Sequence, residues 1–518
     1  MPEDRPSFVF FMVDQLSAKW LEGETRKACP TPNIDKLRAR GASFAQCLSS
    51  NPICMAARAT LATGLTTRGH GVLQNGYELN PALPTFMGLL RQRRWRTGAF
   101  GKLHLIPHFH TVRPDYRPYG FDFVSCTEDP RAGEWLDWID DKYPALFDTA
   151  LATIWATDIP ELQQYGPGRT DLAARIRDIR KTFRWATDRF PHSNPGYYTN
   201  PLPENATQTA WITARALDFI DKFAPAMPIL AHVSYVQPHS PFCPPDGCMD
   251  RIDPRCIPAP VAPEWVGEGQ PVECFAASEG VHREIPDDWR TCRHYYLADV
   301  THLDDQLGKV VAALEKAGRA ANTYLIFLSD HGELLLDHGF SGKGERHYDA
   351  CVRVPLIIAG PGVKAGSTCD ALVQLEDLCP TVLEMAGVPY PEPTILGPYH
   401  EGTAKALPGR SLVPLCRGIV PRDWRDAAYV ESYNNIYGSD SANWARTIRT
   451  SEWRYTMYPA GRGEQLFRLR DDPDETKNLA FDPRYGHVRT RMRDRLLELV
   501  ILQDYPHTPR ERFALGVH

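Results

Sequence analysis

An α/β architecture, a large and mostly parallel sheet held between helices with a small α+β unit after it, is what this sequence predicts. Three observations carry that expectation. The run Phe8–Val9–Phe10–Phe11–Met12–Val13 is continuously apolar, as in a strand buried on both faces, and 228–234 and 324–329 repeat the pattern. Helical periodicity lies between these runs, as in 298–317, where Val300, Leu303, Leu307, Val310, Val311 and Leu314 form one stripe. Each apolar run gives way to polar residues at its C-terminal end: Asp14 after the first, Gln237–Pro238–His239 after the second, Asp330–His331–Gly332 after the third. Strands alternating with helices build such a sheet, and its C-terminal edge is where ligands bind. Asp14, His239, Asp330 and His331 are therefore expected to meet, although the chain separates them widely.

The remaining segments complete the expected organisation. Residues 1–425 read as one large domain and 426–518 as a smaller one. A stretch at about 120–205, rich in Trp, Tyr, Asp and Arg, breaks the alternation and reads as a helical insertion over the mouth of the site. A Pro/Gly-rich connection spans 389–409. Beyond it, 453–458 and 465–469 read as short strands and 488–502 as a helix. A tail, 503–518, with Tyr505, Pro506, Phe513 and Leu515, carries spaced apolar residues that seldom stay free in solution when they can be buried.

Composition narrows the class of protein. The 518 residues exceed one simple core; 43% are hydrophobic and 24% charged, the balance of an ordinary globular protein. The net charge is −6 and no basic block stands out, which argues against nucleic acid as a partner; an anionic substrate needs a local positive site. No stretch approaches the ~20 apolar residues of a membrane span, and the N-terminus lacks the pattern of a signal peptide. Thirteen scattered cysteines fit reduced thiols and a cytoplasmic setting. Cys243, Cys248 and Cys256 lie close together but without the paired spacing of a zinc site, so they read as loop residues.

The segment with the most chemistry is Asn51–Pro52–Ile53–Cys54–Met55–Ala56–Ala57–Arg58, continuing to Thr63–Gly64. Pro52 breaks the chain, 55–62 is rich in helix formers, and Gly64 is a C-cap candidate. Cys54 is thereby placed near a helix N-terminus, where unpaired N–H groups favour anions, with Arg58 one turn on and able to reach back.

This segment resembles the maturation motif of the type I sulfatase family of the alkaline phosphatase superfamily, Cys-x-Pro-x-Arg, with Ala56 where Pro is usual. Further segments match in the family's order: Thr31–Pro32–Asn33–Ile34–Asp35–Lys36–Leu37, Gly101–Lys102–Leu103–His104, Pro238–His239–Ser240–Pro241–Phe242, Ser329–Asp330–His331–Gly332–Glu333 with Lys343 after it, and 465–479 near the end. The resemblance implies an alkaline phosphatase-like sandwich and covers nearly the whole chain. It places the sequence near the choline sulfatase and phosphonate monoester hydrolase branch, some of whose members oligomerise through C-terminal extensions, which implies a homo-oligomer held through the tail at 503–518.

It also implies the chemistry. In that family a maturation enzyme oxidises the cysteine to formylglycine; one hydroxyl of its gem-diol attacks sulfur and the other expels sulfate. By resemblance, Cys54 is the nucleophile precursor, aided by Arg58. Asp14, Gln15, Cys54, Asp330 and His331 hold one divalent metal ion. Lys102, His239 and Lys343 bind the transferring group and assist the leaving oxygen, His104 orients the gem-diol, and Asn75 donates to the sulfuryl oxygen. An all-oxygen set suits Ca²⁺, whereas the imidazole of His331 leans towards a transition metal such as Mn²⁺. His108, His110 and His347 read as loop or supporting residues.

The expected function is hydrolysis of a small-molecule sulfate monoester. The rival reading is a phosphonate monoester or phosphodiester hydrolase, to which Gln15 and His331 point; the pair Lys102 and His104 is the sulfatase version. A non-catalytic relative is disfavoured because the cysteine, the arginine and the metal acids are all present.

Overall fold

A computed structural model describes residues 5–185, 196–262, 282, 284–391, 407–433, 444–459 and 463–503. The tail at 504–518 and most of the 389–409 connection lie outside the described residues.

Among the described residues, eight strands form one sheet in the order β5-β4-β6-β1-β7-β8-β2-β9. They are β1 (Ser7–Val13), β2 (Gly41–Phe44), β4 (Arg96–Gly101), β5 (Phe123–Cys126), β6 (Ile229–Ser234), β7 (Thr323–Ser329), β8 (Leu356–Ala359) and β9 (Ser367–Cys369). From β5 across to β7 every pairing is parallel; β8 runs against both β7 and β2. Two short strands, β3 (Cys47–Leu48) and β10 (Val373–Gln374), pair separately. The sheet is mixed but mostly parallel, as expected.

The continuous apolar runs are explained by burial on both faces. Along β1, Val9, Phe11 and Val13 enter one core with the helices Gln208–Phe223 and Trp289–Lys316. Phe8, Phe10 and Met12 enter the opposite core, with the helix Cys54–Thr63. A strand sandwiched this way has no solvent face, so it carries no polar alternation.

The stretch expected as a helical insertion from about residue 120 begins differently. Phe123–Cys126 is β5, the edge strand of the main sheet, paired in parallel with β4. Helices follow at Glu134–Lys142, Phe147–Ala152 and Leu172–Thr182. Four residues with a half-exposed face give too little periodicity to stand out beside the aromatic-rich helices after them.

After the large sheet comes an antiparallel sheet of β11 (Ala427–Tyr433), β12 (Trp444–Thr450), β13 (Trp453–Met457) and β14 (Glu464–Arg468), covered by the helix Gly486–Gln503. It is laced to the large sheet beside the Cys54 loop. The amide of Glu431 donates to the carbonyl of Ser50 (2.9 Å), and Gln374 Nε2 to that of Tyr429 (2.8 Å). No helix of the described residues is long and apolar enough to cross a membrane.

Candidate active site

Parallel register brings the strand ends to one edge. Val13 is level with Ser329, Met12 with Ser234, and Gly101 with both Ser234 and Cys126. Asp14, Lys102, Asp129 and Asp330, which follow these ends, therefore emerge at neighbouring points. Cys54 comes from above the sheet, as the first residue of a ten-residue helix that is buried throughout.

The ends of that helix are well defined. Gly64 closes it in the left-handed region (φ 70°), where a Cβ would lie 2.8 Å from that of Cys379. At the other end Asn75 Oδ1 accepts from the amide of Met55 at 3.1 Å, serving an N–H that the helix itself leaves without an acceptor. Ala56 is the third helical residue, still within the first turn. An amide there has no partner in the helix, so Ala fits where the resembled motif has Pro without adding or losing an internal hydrogen bond.

Around Cys54 the donor atoms converge. Its Sγ lies 3.2 Å from His331 Nε2 and 3.9 Å from Asp14 Oδ1, and Lys343 Nζ lies 2.6 Å from the sulfur. Arg58 does not bond back to Cys54 as its spacing suggested. Its guanidinium ties the floor together instead: Nε donates to Asp330 Oδ2 (2.8 Å), Nη1 to the Lys102 carbonyl (2.6 Å) and to Ser234 Oγ (2.8 Å), and Nη2 approaches Asp14 Oδ2 (3.5 Å). Lys102, fully buried, is ion-paired with Asp14 and with Asp129, the latter at 2.5 Å.

This charge pattern controls ionisation. Burial alone would push the Cys54 thiol up, but Lys102, Lys343 and His331 outweigh it and hold the thiol well below its usual value. Burial likewise opposes the Lys102 ammonium, and Asp129 and Asp14 outweigh it, keeping Lys102 charged. An anionic group at the position of Cys54 is thus balanced by cations on two sides.

The other expected residues take varied places. His104 (φ 50°) is buried, its loop held by Glu128 Oε1, which accepts from the amides of Leu103 (3.1 Å) and His104 (3.0 Å). His104 Nε2 lies 3.0 Å from His108 Nδ1. His239 is half-buried and bonds the Ser240 carbonyl (2.7 Å), away from the cluster of Asp14, Cys54, Asp330 and His331. His347 is tied to Thr447 (2.8 Å) and Ser432 (3.1 Å), a bridge to the small sheet and not a site residue. His110 is exposed. Among the described residues every cysteine is a free thiol.

Asp129, Glu128 and Glu333 escaped sequence reading. The signal for the first two was the pattern used elsewhere, an apolar strand followed by acids, but it was absorbed into the supposed insertion. Glu333 holds the Gln15 side-chain amide through Oε2, and its Oε1 accepts from the amides of Leu335 (2.8 Å) and Gly342 (2.5 Å).

The residues fit a bound dication. Asp14, Cys54, Asp330 and His331 each offer one ligand atom, all within 4.8 Å of one another and all buried. Gln15 Oε1 is buried without a hydrogen-bond partner, as an atom reserved for an ion would be. His331 Nδ1 lies 3.0 Å from the Gly332 carbonyl, so in the neutral ring the proton sits there and the Nε2 lone pair is left for a ligand.

A mostly parallel sheet with acids, lysines and an anion-favouring helix end gathered at its C-terminal edge makes a site suited to an oxyanion, and the matches that follow place it in the alkaline phosphatase superfamily. The chain belongs to the sulfatase family: the family model "Sulfatase" matches residues 6–388, and "N-sulphoglucosamine sulphohydrolase, C-terminal" matches 337–501. Its relatives include an arylsulfatase of Clostridium perfringens, 26% identical over 93% of this chain and 91% of that one. The choline-sulfatase of Rhizobium meliloti is also 26% identical, over 93% and 84%. In three dimensions the chain is similar to the phosphonate monoester hydrolase of Silicibacter pomeroyi, with TM-score 0.74, 23% identity and 96% of both chains covered. This protein is a sulfatase.

Proposed function

We propose that the chain hydrolyses a small-molecule sulfate monoester to an alcohol and sulfate, using formylglycine made from Cys54 by a maturation enzyme, and one divalent ion. The observation that carries this reading is the place of Cys54: at a helix N-terminus, between Lys343 and His331, and opposite Lys102. The formylglycine side chain would supply the hydroxyl nucleophile, and the ion charge neutralisation at the ester oxygens. Asp14, Gln15, Asp330 and His331 would hold the ion.

The chain's own cations divide the remaining work. Lys102 and Lys343 face the reacting position and bind the equatorial oxygens of the sulfate group, with the Nδ2 of Asn75 as a neutral donor beside them. His239, on the more open side, hands a proton to the leaving oxygen. His104, braced by Glu128 and His108, orients the nucleophilic group and takes up a proton from it. Arg58 positions the two acids.

Gln15 and His331 give some support to the rival reading, a phosphonate monoester or phosphodiester hydrolase. Lys102 and His104 support sulfate, and both esters present tetrahedral oxyanions that the same cations can bind. The deciding experiment is a panel of sulfate monoesters, phosphonate monoesters and phosphodiesters on fully modified, metal-defined enzyme. A kcat/KM highest for a sulfate ester supports the proposal; a phosphonate or phosphodiester preference overturns it.

A further inference from the structure

The donor set around Cys54 is chemically mixed. Two carboxylates supply hard oxygen ligands, but His331 supplies nitrogen and the unmodified Cys54 supplies sulfur. Soft and borderline donors of this kind suit Zn²⁺ and disfavour Ca²⁺ and Mg²⁺.

The spacing agrees. With Zn–S near 2.3 Å and Zn–N and Zn–O near 2.0–2.2 Å, the edges of a tetrahedral site measure about 3.3–3.6 Å. Here Sγ to His331 Nε2 is 3.2 Å, Nε2 to Asp14 Oδ1 is 3.5 Å, Nε2 to Asp330 Oδ1 is 3.7 Å, and Sγ to Asp14 Oδ1 is 3.9 Å. All are within a few tenths of an ångström of that figure.

The surrounding bonds turn the right atoms inward. Arg58 engages Oδ2 of both Asp330 and Asp14, so it is their Oδ1 atoms that lie towards the His331 ring and, for Asp14, Cys54; that of Asp330 also accepts from the amides of Gln15 (3.1 Å) and His331 (3.0 Å), which hold it in place. His331 Nδ1 is committed to the Gly332 carbonyl, which leaves Nε2 as the ligating nitrogen. A positive charge already rests against these donors: Lys343 Nζ lies 2.6 Å from Sγ and 3.1 Å from Nε2. A dication entering the set would displace that ammonium as counter-charge.

We infer that the chain carrying unmodified Cys54 is a zinc-binding protein, with Asp14, Cys54, Asp330 and His331 as a tetrahedral set in which the thiolate takes the place that Gln15 holds in the formylglycine form, so that the two forms differ in ion preference. Binding forms a Zn–S bond at Cys54, and any proton on the thiol goes to solvent. With all four positions filled by protein, this form leaves no open position for an ester oxygen. Unmodified chain would then be a zinc-loaded, inactive species, separate from the mature enzyme. The inference rests on the metal site of the proposed function.

The test uses full-length chain made without a maturation enzyme, with Co²⁺ as the spectroscopic probe. One equivalent should produce a near-ultraviolet sulfur-to-cobalt charge-transfer band and the intense visible bands of a tetrahedral ion. Zn²⁺ should displace the Co²⁺, and Ca²⁺ in excess should not. In Cys54→Ser the charge-transfer band should vanish, and Zn²⁺ affinity should fall by more than the roughly 10–100-fold cost of losing an outer partner. A second readout needs no variant: Zn²⁺ should protect Cys54 from iodoacetamide, followed by peptide mass spectrometry. Cobalt bound without the band, an unchanged band in Cys54→Ser, or ion uptake by the formylglycine form alone overturns the inference while leaving the metal site standing. Failure of both forms to bind an ion overturns both.

Discussion

Arg58 Nε donates to Asp330 Oδ2 at 2.8 Å, between side chains that are 2% and 0% exposed. The pair joins the helix that carries Cys54 to the end of β7, which Asp330 follows. Its members are far apart in sequence, yet this bond and the approach of Nη2 to Asp14 set the distance between Cys54 and the two acids.

Arg58→Ala is expected to destabilise the protein by about 3–5 kcal/mol, the usual cost of removing one partner from a buried pair. Asp330 would lose its guanidinium partner, Asp14 would keep Lys102 alone, and two further acceptors would lose a donor. Urea unfolding of the variant measures this; a loss under about 1 kcal/mol would show that Arg58 is not a structural tie.

Cys54 should be found as formylglycine in protein produced with an active maturation enzyme, by peptide mass spectrometry. Cys54→Ala should lower turnover by about 10³-fold or more without altering the circular dichroism spectrum. Intact thiol in a fully active preparation would remove the proposed nucleophile.

Asp330→Ala should lose metal and activity together, read by elemental analysis and ester hydrolysis on one preparation. Stoichiometric metal retained by the variant would place the ion elsewhere.

Stability should fall with rising pH in a way that Asp299 contributes to. Burial raises its carboxyl to about 8, against the pull of the Cys243 amide and Arg131. The unfolded chain releases this proton near pH 3.9, so between about pH 4 and 8 the folded state holds more protons. The contribution is complete below the unfolded value and is lost as pH rises through about 8. Asp299→Asn keeps an acceptor for the Cys243 amide, now 2.8 Å from Oδ2, and should flatten the fall in urea midpoint between pH 6 and 8.5. Parallel slopes in the two proteins would contradict this.

Assembly is open to a direct measurement. The helix Gly486–Gln503 ends with Leu497, Ile501 and Leu502 exposed by 60%, 61% and 71%, an apolar patch at the root of the tail. If the tail holds an oligomer together, truncation after Leu502 should lower the light-scattering mass. Equal mass in both forms, with equal kinetics, would leave it without that role.

The sequence by itself determined the central strands, because residues buried on both faces of a parallel sheet must be continuously apolar, and that signal is local. Asp14 and Asp330 were legible for the same reason, as acids at the ends of such strands. The helix from Cys54 to Gly64 was equally legible from its breaker, helix formers and cap. Only the tertiary structure decided what Arg58 binds, since a one-turn spacing brings two side chains near but does not say which of several acids competes for the guanidinium. It alone decided that Asp129 belongs beside Lys102, because β5 is a short edge strand whose place depends on pairing with β4 and not on its own pattern. Local periodicity specifies elements; which charges face one another is settled by register between strands distant in the chain, and in this site those charges carry the chemistry.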